Sequence, residues 1–133
     1  KNVNLFKPNL KEINEGFKLN IVPTDMDSLK KGVSSLREQM NIENVLLTLS
    51  EHGMYYDFDG TCNVMPTEAK SISDVSGAGD TVLSVAALLQ AINVEPEMVA
   101  KLSNLAGGLV CEKLGVVPID KKELKEKAEK LGF

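Results

Sequence analysis

At 133 residues, 43% of them apolar, the chain is long enough for one domain with a real core and too short for two. Its longest apolar run, residues 82–92, is broken by Ser84 and Gln90 and reaches about half of the ~20 residues a membrane span needs. A formal net charge of −4, with no block of Lys and Arg before the tail, argues against a nucleic-acid partner.

Cys62 and Cys111 stand far apart, without a Cys-x-x-Cys pair or clustered His. The expectation is therefore two reduced thiols in a cytoplasmic protein, no metal-thiolate site and no membrane contact. The chain opens on Lys1-Asn2-Val3-Asn4-Leu5-Phe6, a strand already under way with neither initiator Met nor targeting segment, which reads as a piece of something longer. That strand stops at Lys7-Pro8-Asn9, because proline fixes φ and keeps the residue before it out of helix.

Asn9-Leu10-Lys11-Glu12 has the spacing of a helix N-cap followed three residues later by an acid. Two roles stay open for the pair. One is structural capping; the other places both beside phosphates, with Glu12 holding the water shell of a Mg2+ ion.

Within residues 27–40, Leu29, Val33, Leu36 and Met40 recur at the spacing of a one-faced helix that covers a sheet. Val45-Leu46-Leu47-Thr48-Leu49 is a continuous apolar run, read as a central parallel strand buried on both faces. Ser50-Glu51-His52-Gly53 is the loop after it, at the sheet edge where ligands commonly bind. His52, the single histidine, is read as solvated and without a role. Residues 54–58 and 61–65 form a hairpin on Asp59-Gly60. Residues 69–73 are expected to add a short edge strand.

Asp74-Val75-Ser76-Gly77-Ala78-Gly79-Asp80-Thr81 then runs into the apolar stretch. Gly77 and Gly79 remove two side chains where a loop becomes a helix, so successive N–H groups can face one anion at the positive end of the helix dipole. Asp80 sets a carboxylate in the first turn, within reach of a hydroxyl attacking a bound phosphoryl group. The chain contains no Gly-Lys pair, which excludes a Walker loop, and Val82 stands where a dinucleotide fingerprint needs a small residue. The plainer alternative is a turn into a helix, with Asp80 serving only the dipole.

The helix that follows is apolar nearly all round and is expected to lie in the interior with a rigid start. A second helix begins at Glu95-Pro96 and runs to about Lys113 before Gly115 ends it. Gly107-Gly108 in its middle lowers helix propensity by roughly 1–2 kcal/mol, which points to a backbone or flat ligand approaching there, or to close helix packing. Asp120-Lys121-Lys122-Glu123 caps a last amphipathic helix, read as a solvated outer layer that Gly132 stops.

With these pieces placed, essentially all 133 residues resemble the carboxy-terminal half of the ribokinase-like (PfkB) carbohydrate kinases. The signature Asp-Thr-x-Gly-Ala-Gly-Asp is matched at residues 74–80 with Val75 in place of Thr, and Lys7-Pro8-Asn9-Leu10-Lys11-Glu12 looks like the family's Asn-x-x-Glu element. The resemblance implies a three-layer α/β/α fold in which residues 1–133 are the C-terminal, ATP-binding half, the sugar site and lid belonging to an N-terminal half. It implies that Asp80 is the catalytic base and that the N–H groups of Gly77, Ala78 and Gly79 form the anion hole. Asn9 and Glu12 would set Mg2+ and phosphates. The stretch from Thr48 through Ser50 to Gly53 would be the nucleotide loop, with Asn104 near adenine. Asp74 and the Ser76 carbonyl would help hold a monovalent cation, K+.

Ser50-Glu51-His52-Gly53-Met54, Met65-Pro66-Thr67 and Lys113-Leu114-Gly115 are similar to the heptose 7-phosphate kinase domain of bacterial ADP-heptose synthases, which act on the way to lipopolysaccharide. The expected function is ATP-dependent phosphorylation of a sugar hydroxyl, the anomeric one of D-glycero-D-manno-heptose 7-phosphate, by a cytoplasmic homo-oligomer, a dimer. A kinase for another sugar or nucleoside, and a non-catalytic nucleotide-binding half, are the alternatives. The 133 residues alone are expected to bind nucleotide weakly, to phosphorylate nothing and to self-associate through an open strand edge near residues 3–6.

Overall fold

Proline and glycine punctuation divides the first half of the chain into strands and helices of ordinary length. The computed structural model describes residues 3–58, 60–67 and 75–133, in two compact units, residues 1–66 and 67–133. In the first unit the order is β1 (Val3–Phe6), α1 (Leu10–Phe17), α2 (Met26–Met40), β2 (Ile42–Thr48), β3 (Met54–Phe58) and β4 (Thr61–Met65). The sheet runs β1-β2-β3-β4.

The pairing is mixed. β1 lies parallel to β2, with Val3 opposite Ile42 and Phe6 opposite Val45, while β2–β3 and β3–β4 are antiparallel, with Leu47 opposite Tyr55 and Tyr55 opposite Val64. The parallel strand expected over residues 45–49 is thus parallel on one side only, and it runs from Ile42 to Thr48. Its polar start escaped the apolar pattern because Asn44 is buried with a partner: its Nδ2 donates to the Asn4 carbonyl at 3.1 Å.

Both faces of β2 and β3 are covered, as a fully buried strand requires. On one face Leu29, Val33 and Leu36 of α2 and Ile13 of α1 pack with Val45, Leu47 and Tyr55. On the other, Leu46, Met54, Tyr56 and Phe58 are buried as well. Each such aliphatic side chain contributes about 1.5–3 kcal/mol when removed from water. α2 starts on Asp25, whose carboxylate accepts from the N–H groups of Asp27 and Ser28, and ends on Asn41 at φ 52. Near its end Arg37 donates to Asp57 of β3 at 2.7 Å and, through Nε, to the Ile42 carbonyl. Burial pushes the Asp57 carboxyl above its ordinary range, and the guanidinium opposes that rise. The hairpin forms as expected, with Gly60 at φ 82; Asp59 lies outside the described residues, as do Lys1 and Asn2.

The second unit holds α3 (Ala78–Ala91), α4 (Pro96–Cys111) and α5 (Lys121–Lys130). A Cβ at Gly107 would lie 2.6 Å from Val82 Cγ2, so the mid-helix glycine serves close packing of α4 on α3. The expectation that α3 lies in the interior is corrected. Only Val82 and Ala86 are buried, and Leu88 and Ile92 are each 65% exposed. Apolar composition all round states what a helix can bury; contact with α4 covers one stripe, and Leu83, Ala87 and Leu88 remain exposed.

Asp120 caps α5 by accepting from the Glu123 N–H at 2.9 Å, and Leu124 and Ala128 close a small core with Leu105 and Leu109. The strand expected over residues 69–73 lies outside the described residues. Among the described residues no helix is long and apolar enough to cross a membrane. Cys62 and Cys111 are free thiols.

Candidate functional site

β1 and β2 are parallel, so the loops after them leave the sheet at the same edge. Pro8 ends β1, and its carbonyl accepts from the Thr48 N–H at 3.1 Å, with the Thr48 hydroxyl 3.4 Å from the same oxygen. An isolated parallel bridge joins Asn9 to Thr48. The structure therefore brings Asn9, Glu12 and Thr48 to one edge, and the turn of Ser50–His52 with Gly53 follows directly.

At that edge the capping role of Asn9 and Glu12 is realised. The Asn9 side chain accepts from the Glu12 N–H at 2.8 Å, and Glu12 Oε2 accepts from the Asn9 N–H at 2.8 Å, a closed capping box. Glu12 is exposed, and its other carboxylate oxygen has no partner among the described residues.

The turn is tightly determined. Leu49 N–H donates to the Gly53 carbonyl at 2.8 Å and Gly53 N–H to the Ser50 carbonyl at 3.1 Å. Gly53 has φ 91, and a Cβ there would fall 2.0 Å from the Met65 carbonyl oxygen, so no side chain fits. Ser50 holds φ 55, a left-handed conformation uncommon for a residue with a side chain and one the sequence gives no hint of. Exposed His52 lies 3.6 Å from the carboxylate of its neighbour Glu51.

In the second unit α3 begins on Gly77, at φ 78 and ψ −6, and no side chain among the described residues caps it. Gly79 is not left-handed; it lies in the first helical turn and contributes only its lack of a side chain. The first-turn N–H groups of a helix have no intrahelical acceptor, so those of Gly79 and Asp80 point out of the helix start. The third donor differs from expectation: Ala78 N–H donates to the Val75 carbonyl at 3.3 Å, closing the turn. Asp80 is exposed, and its carboxylate has no partner among the described residues. A carboxylate there, beside N–H groups without an intrahelical acceptor, can accept a proton from a hydroxyl while those groups hold an anion.

Asn104 lies half-buried on α4, one turn before Gly107, and a Cβ at Gly107 would come 4.0 Å from the Ala78 carbonyl. Thus α4 closes on the beginning of α3. Ser76 stands in the turn before Gly77, whereas Asp74 lies outside the described residues. Sequence reasoning missed Val116, which touches Gly77: a Cβ there would meet Val116 Cγ1 at 3.0 Å. An exposed valine in a loop carries no signal of that contact. Among the described residues no three His, Cys, Asp or Glu side chains cluster to hold a metal ion.

Comparison with known proteins agrees on one family. The pfkB family carbohydrate kinase description matches residues 1–122. The chain is 36% identical over 122 residues to the bifunctional protein HldE of Sulfurimonas denitrificans, covering 92% of this chain and 25% of that protein. To the bifunctional protein HldE of Vibrio parahaemolyticus it is 37% identical over 123 residues, again 92% and 25%. The chain spans about a quarter of the length of these curated relatives. Among solved structures, phosphofructokinase-2 from Escherichia coli in complex with potassium superposes with a TM-score of 0.85 at 20% identity, over 99% of this chain and 42% of that one. Arabidopsis thaliana ribokinase complexed with ribose and ATP gives 0.80 at 19%, over 92% and 40%.

Proposed function

Because the chain belongs to the pfkB family of carbohydrate kinases, we propose that residues 1–133 are the C-terminal, ATP-binding half of a kinase that phosphorylates a sugar hydroxyl. The observation that carries the reading is the start of α3: a left-handed glycine with no side-chain cap among the described residues, and an exposed carboxylate at the third helical position.

In this mechanism the N–H groups of Gly79 and Asp80 face the γ-phosphoryl oxygens, and that of Ala78 joins them by leaving the Val75 carbonyl. Asp80 takes the proton of the attacking hydroxyl during in-line transfer. Fixed donors of this kind stabilise the charge that develops in the transition state. The family resemblance supports assigning Thr48, Ser50 and Gly53 of the first unit, and separately Asn104 of the second, to nucleotide contacts.

The donor set also fits a cation held through water. With no acidic cluster among the described residues, Mg2+ would keep most of its waters, and the open oxygen of Glu12 would accept from one of them while Asn9 fixes the carboxylate. When bound, Mg2+ neutralises phosphate charge. K+, which is present in the E. coli phosphofructokinase-2 structure, would take the Ser76 carbonyl and Asp74.

The acceptor we propose is D-glycero-D-manno-heptose 7-phosphate, at its anomeric hydroxyl. Similarity to bifunctional HldE proteins and the stretches at residues 50–54, 65–67 and 113–115 support it. ATP-dependent phosphorylation by the intact protein, compared across heptose 7-phosphate, fructose 6-phosphate, ribose and a nucleoside, tests the acceptor. Preference for any of the last three replaces the heptose. Calorimetry of the 133-residue chain with ADP and Mg2+ tests the half-domain reading, which fails if no binding is seen or if the chain alone phosphorylates a sugar.

A further inference from the structure

The start of α3 does not stand alone. Gly77 is overlain by Val116, a residue 76% exposed that belongs to the segment between α4 and α5. Gly115, at φ 77, supplies the left-handed turn just before it. The two ends of that segment are fixed by hydrogen bonds. Lys113 N–H donates to the Val110 carbonyl at 3.1 Å, and Asp120 caps α5. Across the segment, Lys113 Nζ donates to Glu123 Oε2 at 2.6 Å, closing residues 113–123 into a loop.

Glu123 holds the third helical position of α5, as Glu12 does in α1. In α1 that carboxylate returns to its own N-cap N–H, whereas in α5 it is turned away from the cap and onto Lys113. The hydrogen bond to Glu123 in turn raises the Lys113 ammonium above its ordinary value. Both side chains are more than a third exposed, so the pair contributes little to global stability. Its effect is local, on where the loop lies.

We infer that the Lys113–Glu123 pair is a positioning device: it sets the loop that presses Val116 onto Gly77, and so fixes the N–H groups at the start of α3. Lys113, Val116 and Glu123 are positioning residues. The inference rests on the reading of that helix start as a phosphate cradle.

Two measurements on the 133-residue chain test it: amide hydrogen exchange of residues 77–80, and affinity for ADP with Mg2+. Glu123→Gln and Lys113→Met should each speed exchange there about three- to tenfold and weaken ADP about three- to fivefold. Val116→Ala should do the same with the ion pair intact, while Lys113→Arg and the charge-swapped pair Lys113→Glu/Glu123→Lys should restore wild-type behaviour. Exchange at residues 77–80 that stays at the wild-type rate in both single variants overturns the inference. Exchange that rises equally throughout α4 and α5 overturns it too, because a merely structural role gives that result. If ADP does not bind the wild-type chain, the cradle reading falls and the exchange measurement alone decides the tether. If ADP binds and Gly79→Val weakens it, while the single variants change nothing, only the tether falls.

Discussion

α1 and α3 begin with the same arrangement of a cap residue and an acid at the third helical position, and they use it in opposite ways. Asn9 and Glu12 bond to each other's backbone N–H groups, so the start of α1 is sealed by its own side chains. Gly77 has no side chain to offer, and Asp80 does not reach back to it, so among the described residues nothing seals the start of α3. A side-chain cap is worth about 1 kcal/mol to a helix. α3 forgoes it and keeps its donors available, and its order comes from outside, through Gly107 of α4 and Val116. The lesson is that stability and binding compete for the same few N–H groups at a helix start.

Chemistry at the open end gives the largest expected effect. Asp80→Asn should lower the proposed phosphoryl-transfer turnover of the intact protein by roughly 10²-fold while leaving ADP affinity nearly unchanged, because an amide cannot accept the proton. A fall of less than about tenfold in steady-state assays removes Asp80 from the base role. Next is Gly79→Val, which puts a branched side chain where an anion must approach and should weaken ADP at least ~10-fold by calorimetry. Unchanged affinity would mean that the open end is not a binding site.

Smaller effects are expected at the sealed ends. Asn9→Ala should lower stability in urea by about 1 kcal/mol. Glu12→Gln separates the two uses of that carboxylate. A raised Mg2+ requirement supports its place in the ion's outer shell, and an unchanged one leaves it a cap alone.

The smallest effect is a pH dependence that tells one sealed end from another. Asp120 is held below the usual carboxylate range by the N–H groups of Glu123 and Lys122, so its stabilisation is present above its ordinary value of 3.8 and is lost as pH falls through the lower folded value. The denaturation gap between wild type and Asp120→Asn should therefore shrink between about pH 6 and about pH 3. The gap for Asn9→Ala, an uncharged cap, should stay constant.

What the sequence made legible was local. The capping box, the hairpin and the Asp120 cap each follow from side chains a few residues apart, and the structure contains all three. Less legible was anything set by a distant neighbour. The buried start of β2 depends on Asn44 finding Asn4, the Arg37–Asp57 bond on α2 lying over β3, and the exposure of Leu88 and Ile92 on how much of α3 its neighbours cover. At the candidate site the glycines and Asp80 stood out by spacing alone. The engagement of Ala78 N–H, the left-handed Ser50 and the contact of Val116 with Gly77 did not, because each is a matter of backbone path that no residue type announces.

The burial of β3 has a spectroscopic consequence. The chain contains no tryptophan and two tyrosines, and Tyr55 and Tyr56 are neighbours on β3 that point to opposite faces of the sheet. Tyrosine emission therefore reports on residues 1–66 alone, while the far-ultraviolet helical signal also carries α3, α4 and α5, so the two probes together show whether the units melt as one. Tyr55 adds a second readout. Its hydroxyl is buried without a normal hydrogen-bond partner among the described residues, and burial, with the Cys62 thiol beside it, pushes its ionisation far above that of a free phenol. On alkaline titration, phenolate absorbance from Tyr55 should appear only when the sheet opens, which makes this side chain an internal gauge of the unit that carries Asn9, Thr48 and Gly53.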